Sequence, residues 1–262
     1  DTADAARTYL RHETGNFFDP ALVDAFLTHG PRMVDFFERE TAVKFDAVPG
    51  FADYHPDLPG GRAGGRSVMA SAFNGLELGA RFKDLSPPLK EITFVGMMLN
   101  SSREVQHFFN VTRSWESAVY VAKRLAKHAS EVARNGRATR LTNGNALVAR
   151  LAKSALDLKI PLWTSSPIKE LIVEHGRVAG AIVEKDGRRL TIHTRRGVVL
   201  ACGGFPQDLA RRKSLFPHAP NGTEHLSPAP AENTGDGLSL ATAAGGRIQD
   251  DVPNAAAWIP VS

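Results

Sequence analysis

Residues 168–194 constrain the fold most, because apolar and polar side chains alternate along them. Three runs show this alternation: Ile168 to Glu174, Val178 to Glu184 and Arg188 to Thr194. They are joined by short glycine-containing connections, His175-Gly176 and Lys185-Asp186-Gly187. Alternation with a period of two is typical of a half-buried strand, and such turns join antiparallel neighbours. The sequence therefore predicts a three-stranded antiparallel meander.

The beginning of the chain carries apolar residues at helical spacing instead. Asp19 suits an N-cap and Pro20 suits the first position of a helix. Gly30-Pro31 is expected to end this helix, because proline lacks the backbone N–H that continues it. The residues up to about position 45 are therefore predicted to be helical.

Further elements follow from the same two periodicities and from turn residues. Two more helices are expected over residues 114–135, after the N-cap candidate Ser114, and over residues 145–158. Ile160 to Thr164 is predicted as a strand, and Gly197 to Phe205 as a strand that is apolar on both sides. Such a strand is typical of the buried centre of a sheet. A last helix is predicted from Leu238 to Ala244.

This order of elements indicates an α/β fold with α+β character, in two parts. Residues 1–135 form a mainly helical domain, and residues 136–262 form an incomplete α/β nucleotide-type domain. The chain begins with Asp1 rather than Met, and its last residues contain neither a helix stop nor a polar tail. We interpret it as an internal piece of a longer protein.

Composition excludes several classes of protein. Hydrophobic residues make up 42% and charged residues 23%, which is typical of a folded chain. No apolar run approaches the roughly 18 residues of a membrane span, and the single cysteine, Cys202, rules out an internal disulfide. The net charge of +4 is spread along the chain, so we expect a small-molecule ligand rather than nucleic acid. No signal-like apolar stretch follows Asp1, and we expect a cytoplasmic location. We also expect no metal site.

Three segments carry residues suited to chemistry. Cys202-Gly203-Gly204 ends the predicted central strand, where a flat ligand can approach the backbone, although a plain tight turn fits as well. Asn233 to Gly237 opens a helix, whose free N–H groups attract electron-rich atoms, although a capping aspartate fits too. The segment from Asp53 to Ser67 is rich in glycine and proline and contains Tyr54, Arg62 and Arg66. It is either an ordered functional loop or a flexible linker.

Phenylalanine and methionine are concentrated in the first part of the chain. Twelve of the 14 Phe residues lie between Phe17 and Phe109, and all four Met residues lie within the first 98 positions. These side chains suit either an adaptable apolar pocket or an ordinary core.

Several motifs together resemble one flavoprotein family. They occur in the order Gly144 to Leu151, Ser166 to Ile168, Glu174 to Ala181, Val198 to Phe205 and Asn233 to Gly237. In this order they are similar to fumarate reductases, succinate dehydrogenases and 3-ketosteroid dehydrogenases. Asp53-Tyr54-His55-Pro56, with the glycines and Arg66 that follow, resembles the 3-ketosteroid dehydrogenase branch.

The resemblance implies FAD as cofactor and a substrate-binding cap domain over residues 1–135. Residues 136–262 then correspond to part of a Rossmann-like FAD-binding domain. The implied cofactor-binding residues are Gly144, Asn145, Ile168, Ala201, Cys202, Gly203, Gly204, Thr234, Gly235, Asp236 and Gly237. The family's G-x-G-x-x-G turn is absent from this sequence, so the chain itself is expected to bind FAD poorly or not at all.

The resemblance also implies dehydrogenation of a ketosteroid or another bulky ketone, with hydride transfer to flavin N5 and removal of a proton. Tyr54 is the candidate for a phenolic catalytic role, because steroid dehydrogenation needs a base and a donor to the carbonyl. Arg62, Arg66 and Trp258 are candidates for substrate binding. Two alternatives stay open: a fumarate or succinate oxidoreductase whose arginines bind a dicarboxylate, and a non-catalytic binding domain. The sequence does not identify the electron acceptor.

Overall fold

The computed structural model describes residues 2–99 and 102–249 and has two compact units, Asp1–Leu162 and Trp163–Ser262. Both units mix helices with small antiparallel sheets. The sequence predicts a boundary after residue 135, whereas packing divides the chain after Leu162, because helix α5 packs on strands of the first unit. The assignment of residues 1–135 and 136–262 to cap and cofactor roles stays a prediction.

The described residues of the first unit form five α-helices and four short strands. The helices are α1 (Ala3–Thr14), α2 (Pro20–Glu40), α3 (Ser102–Phe109), α4 (Trp115–Asn135) and α5 (Asn143–Asp157). The strands are β1 (Phe45–Ala47), β2 (Val68–Ala70), β3 (Phe73–Asn74) and β4 (Arg140–Leu141). Strand β1 pairs with β2, and β3 pairs with β4, both antiparallel. The predicted helices over 114–135 and 145–158 are thereby confirmed, with small shifts of their ends.

The core of this unit lies between α5 and the strands. Ala146 and Ala149 of α5 are fully buried against a cluster whose other buried members are Ala70, Phe73, Leu78, Phe82 and Leu141. Arg150 lies one position further along α5, and its guanidinium donates to the carbonyls of Ala42, Ser71 and Ala72. These bonds fix the chain on both sides of the β1–β2 pair.

A buried carboxylate connects three further elements. Glu104 of α3 is 4% exposed and accepts from Arg124 Nε of α4 at 3.0 Å and from Arg140 Nη1 of β4 at 2.7 Å. Tyr120 also donates to this carboxylate, at 3.3 Å. Buried charges are stable only when they are paired in this way, so Glu104 holds these elements together.

Helix α2 is longer than the sequence predicts. Asp19 is its N-cap, accepting from the amides of Ala21 and Leu22, as predicted. The expected end at Gly30-Pro31 is wrong, because the helix continues through Pro31 to Glu40. Proline removes only one helical N–H, and the apolar positions continue in phase on both sides of it.

The second unit is built on the meander. Its strands are β5 (Ile168–Glu174), β6 (Arg177–Lys185) and β7 (Arg188–His193), paired antiparallel in the order β5-β6-β7. His175 and Gly176 both have positive φ, 51° and 75°, as do Asp186 and Gly187, 50° and 72°. Positive φ at both central positions is typical of the tight hairpin turns that the sequence predicts. The predicted meander is confirmed.

Two predicted strands are wrong. Ile160 to Thr164 is exposed and contains no strand, because Pro161 lacks an N–H to donate. Gly197 to Phe205 also has no strand conformation, and Val199 in it is 89% exposed. A central strand needs a neighbour on each side, and no described strand pairs with this segment.

The part of the second unit that the structure describes also contains two short helices. Helix α6 (Leu209–Leu215), which the sequence interpretation missed, begins after Asp208, whose side chain accepts from two amides of its first turn. Helix α7 (Asp236–Ala243) begins two residues before the predicted Leu238 and packs against β5. Within the described ranges, no helix is both long and apolar enough to span a bilayer.

Candidate functional site

The structure brings two of the predicted segments of the second unit together. The amide of Gly235 donates to the carbonyl of Gly204 at 3.1 Å, and the amide of Gln207 donates to the carbonyl of Asn233 at 3.0 Å. We call the contact between residues 201–205 and 233–237 the glycine junction. The sequence singles out both segments but does not indicate that they touch.

Glycine is favoured at two positions of the glycine junction. A Cβ on Gly203 would lie 2.8 Å from Asn233 Oδ1, and a Cβ on Gly237 would lie 2.8 Å from Cys202 Sγ. Gly203 also has a φ of +79°, which side chains rarely adopt. A Cβ at either position would therefore displace a neighbouring side chain, and at Gly203 it would also strain the backbone.

The N-terminus of α7 lies at the same junction. Gly235 is its N-cap, with a φ of 83° and a ψ of 20°, and Asp236 is the first helical residue. The hydroxyl of Thr234 donates to Asp236 Oδ1 at 2.9 Å. Arg211 of α6 donates to Ser239 of α7 at 2.7 Å, so α6 supports this helix end. Asp236 remains exposed.

The glycine junction presents exposed backbone. Ala201, Cys202, Gly203 and Gly204 are all exposed and have little side chain to keep a flat ligand from the backbone. Ile168 begins β5, the strand on which α7 packs. A phosphate-binding G-x-G-x-x-G turn is not present in the sequence, so these residues can supply only part of such a site.

Gly144 and Asn145 lie in the first unit, at the beginning of α5. A Cβ on Gly144 would meet no atom within 4 Å, so its backbone is open to a ligand. The side-chain amide of Asn145 donates to the carbonyl of Ser86 at 2.9 Å. Their predicted contact with a cofactor stays a prediction.

The loop that contains Tyr54 is closed by hydrogen bonds at its base. The amide of Asp53 donates to the carbonyl of Arg62 at 2.9 Å, and the amide of Arg62 donates to Asp53 Oδ2 at the same distance. Arg66 donates to Asp53 Oδ2 at 2.7 Å and to the Gly60 carbonyl at 2.8 Å. These bonds favour the ordered loop over the linker. The side chain of Tyr54 is 92% exposed.

A group of hydrogen-bonded side chains beside this loop was missed by the sequence interpretation. Tyr9 of α1 donates to Glu13 Oε1 at 2.5 Å, and His55 Nδ1 lies 2.8 and 3.0 Å from the two oxygens of that carboxylate. Burial and the bond to Glu13 raise the pKa of Tyr9, and the bond from Tyr9 lowers the pKa of Glu13. The spacing of Tyr9 and Glu13 by four residues on one helix is the signal that predicts their contact.

The first unit also has a cavity of about 340 Å³, with several cationic side chains. Its lining includes Lys90, Met98, His128, Arg137 and Arg140. One guanidinium nitrogen of Arg137 is buried without a hydrogen-bond partner, and burial lowers the pKa of this group. No phenylalanine lines this cavity, and Met98 is its one methionine, so it is not the Phe/Met pocket that the sequence allows.

Phenylalanine residues of the described chain divide between core and surface. Phe73 and Phe82 are buried in the core cluster, whereas Phe17, Phe26 and Phe109 are more than half exposed.

Trp258 lies outside the described residues. Within residues 2–99 and 102–249, no three metal-binding side chains are grouped to hold an ion.

An exposed glycine segment at a helix N-terminus is a feature of the class of nucleotide-binding domains. The chain belongs to the FAD binding domain family, whose sequence profile matches residues 1–262. It is therefore part of a flavoprotein fold, and the family predicted from its motifs is confirmed.

Individual relatives narrow the similarity to ketone dehydrogenases. The chain is 36% identical to 4-oxocyclohex-2-ene-1-carboxylate 5-dehydrogenase of Sinomonas cyclohexanicum, over 100% of this chain and 44% of the relative. It is 33% identical to 3-oxosteroid 1-dehydrogenase of Mycobacterium tuberculosis, over 99% of this chain and 46% of that enzyme.

A solved structure shows the same fold. The 3-ketosteroid delta1-dehydrogenase of Sterolibacterium denitrificans, in complex with 1,4-androstadiene-3,17-dione, superposes with a TM-score of 0.82 at 28% identity. The match covers 94% of this chain and 45% of that chain. The chain thus spans less than half the length of these relatives.

Proposed function

We propose that the whole protein is an FAD-dependent dehydrogenase that introduces a carbon–carbon double bond next to the carbonyl of a cyclic ketone. The observation that carries this proposal is an exposed phenol, Tyr54, on a loop that is fixed on both sides. The relatives support it, because both dehydrogenases described above act, by their names, on cyclic ketones.

The glycine junction and the N-terminus of α7 are proposed to hold one face of the cofactor. When bound, FAD supplies the acceptor for the hydride that leaves the substrate. The backbone of residues 201–204 packs against the dinucleotide, and Asp236 accepts hydrogen bonds from its hydroxyls. Gly144, Asn145 and Ile168 are proposed as further contacts, and the pyrophosphate needs a turn that this sequence does not contain.

Tyr54 is proposed to act on the substrate directly. Either its phenolate removes the proton from the carbon beside the departing hydride, or its hydroxyl donates a hydrogen bond to the ring carbonyl. The carbonyl oxygen gains negative charge as an enolate forms, so a donor placed there stabilises the transition state. Phenylalanine at this position would fill the same space without either function.

The substrate is proposed to be a ketosteroid or a similarly bulky ketone. A smaller ketone ring that carries a carboxylate is the second candidate, and exposed Arg62 favours it, because a guanidinium pairs well with a carboxylate. Arg66 is already paired with Asp53, which weakens the dicarboxylate hypothesis that needs both arginines. Trp258 stays a proposed substrate contact.

The remaining features of the proposal concern the protein's surroundings. A cytoplasmic location, a small-molecule substrate and no nucleic-acid or membrane partner are proposed, and the single cysteine and the spread of charge support them. If the cap half acts alone, the chain is instead a binding domain without catalysis. Activity of the whole protein on a ketone substrate would support the dehydrogenase. Its absence would support the binding domain.

The experiment that tests this function is Tyr54→Phe in the whole protein, assayed with a 3-ketosteroid. We expect kcat to fall about 10²- to 10⁴-fold with unchanged flavin content, because only the hydroxyl is removed. Tyr120→Phe is the matched control, since its hydroxyl makes only a 3.3 Å bond to Glu104. Turnover of Tyr54→Phe within about threefold of the unmodified protein would remove Tyr54 from the chemistry and favour the fumarate-type alternative.

A further inference from the structure

The two neighbours of Tyr54 in the chain are both held by charged side chains, although Tyr54 itself is not. Asp53, on one side, is bound to Arg66, and His55, on the other, is bound to Glu13. Both residues that flank Tyr54 are therefore anchored. The contacts of these two neighbours, and not contacts of Tyr54 itself, set the direction of the backbone at Tyr54.

On the Asp53 side, a single carboxylate oxygen closes the base of the loop. Asp53 Oδ2 accepts from Arg66 Nη1 at 2.7 Å and from the amide of Arg62 at 2.9 Å. The side chains of Arg66 and Asp53 are only 16% and 12% exposed. Water screens this ion pair less than a surface pair, so the pair restrains the loop more strongly.

On the His55 side, the partners belong to helix α1. Glu13 bonds to His55 Nδ1 and also accepts from the hydroxyl of Tyr9, whose ring is 8% exposed. The backbone amide of His55 donates to the same hydroxyl at 3.4 Å. His55 is therefore held through both its side chain and its backbone.

Helix α1 and the loop are in close contact between these two points. The guanidinium of Arg66 lies 5.6 Å from the centre of the Tyr9 ring. This contact connects the Arg66–Asp53 pair with the His55–Glu13 pair. A Cβ on Gly60 would lie 2.2 Å from the carbonyl oxygen of Ala5, so the loop backbone lies directly on the helix. We call Tyr9, Glu13, Asp53, His55 and Arg66 the loop clasp.

We propose that Glu13 and Arg66 are positioning residues for the reaction, acting through His55 and Asp53 on Tyr54. This inference rests on the proposed function of Tyr54. The exposed phenol has no side-chain partner of its own in the loop clasp, so the backbone must supply its alignment with the substrate. A reacting group that is displaced by about 1 Å can lose about 100-fold in rate.

The test is a double-mutant cycle in the whole protein. Glu13→Gln and Arg66→Gln are each made alone and in the Tyr54→Phe background, with Lys153→Gln, from an exposed pair with Asp157, as control. We expect each single variant to lower kcat about 10- to 100-fold with nearly unchanged KM and flavin content. In the Tyr54→Phe background the same changes should have no further effect on kcat.

A purely structural role gives a different result. Equal losses of kcat with and without the Tyr54 hydroxyl, or normal kcat in both single variants while Tyr54→Phe is impaired, would overturn this inference alone. Near-normal turnover of Tyr54→Phe would instead overturn the proposed function, and the inference with it. Lys153→Gln should leave kcat unchanged relative to the parent protein in each background.

A second measurement guards against variants that fail to fold. Hydrogen exchange of residues 53–62 is compared between the unmodified 262-residue chain and its conservative variants Glu13→Gln and Arg66→Lys. We expect faster exchange in this loop and unchanged exchange in the β5–β7 meander. Unchanged exchange in the loop would show that the loop clasp does not restrain it and would overturn the inference.

Discussion

Glu13 shows how strongly one side chain depends on its neighbours. It is the one carboxylate of the loop clasp that accepts from a phenol, and it bonds to the His55 ring as well. The bond from Tyr9, followed by that to His55, lowers the pKa of Glu13 below its usual value. The charged form of Glu13 is therefore favoured in the folded state, which links the stability of the loop to pH.

The sign of this dependence is fixed by the direction of the pKa shift. A lowered folded pKa stabilises the fold above the usual carboxyl pKa, and the stabilisation is lost as pH falls through the lowered value. We expect Glu13→Gln to lower the melting temperature at pH 7 and to have little effect at about pH 3. Glu174→Gln, at an exposed position on β5, serves as control. An equal deficit of Glu13→Gln at both pH values would contradict this.

At the scale of elements, local and non-local structure differ in what the sequence reveals. The meander is predictable because only a two-residue turn separates each strand from the next. The signals for the turns and for the strands therefore lie side by side in the sequence. The segment from Gly197 to Phe205 has an equally apolar sequence, yet it forms no strand, since strand formation needs a partner that the described residues do not supply. Helix α2 was predicted at its beginning and not at its end, because a single proline is a weaker stop than the continuing apolar pattern.

The glycine junction gives a prediction at this scale. Gly203→Ala should lower the free energy of unfolding by about 1–2 kcal/mol, because a side chain is unfavourable at its positive φ and would crowd Asn233. Gly204→Ala is the matched control, since its Cβ would lie 3.7 Å from the nearest atom, on Pro206. Urea unfolding followed by circular dichroism measures both. Equal stability of the two variants would show that the junction tolerates a side chain.

At the scale of the whole molecule, the sequence indicates which segments belong to the candidate site better than it indicates how they are arranged. The segments around Gly203 and Gly235 were each recognisable from local patterns, but their contact joins residues about 30 positions apart and has no local signal. Tyr54 was proposed from the sequence, whereas the contact of its neighbour His55 was not predicted, because the partner Glu13 lies 42 residues earlier in the chain. Ion pairs over such separations depend on the fold and are not visible as a pattern.

The absence of a G-x-G-x-x-G turn from this sequence leads to a prediction for the cofactor. We expect the whole protein to purify with bound flavin and the 262-residue chain to purify without it, because backbone N–H groups of such a turn hold the pyrophosphate. A visible absorbance spectrum of each protein decides this, with added FAD followed by gel filtration as a control for loss during purification. Stoichiometric flavin on the 262-residue chain would contradict the prediction.

The hairpin turns of the meander also bear on the order in which the chain becomes structured. Pairing β5 with β6, and β6 with β7, closes loops of only two residues, 175–176 and 186–187. In the first unit, pairing β1 with β2 encloses residues 48–67, and pairing β3 with β4 encloses residues 75–139. The entropy lost in closing a loop grows with its length. Among the described sheets, the meander is thus the one that can form with the least prior ordering of the chain, independently of the hydrogen bonds of the glycine junction.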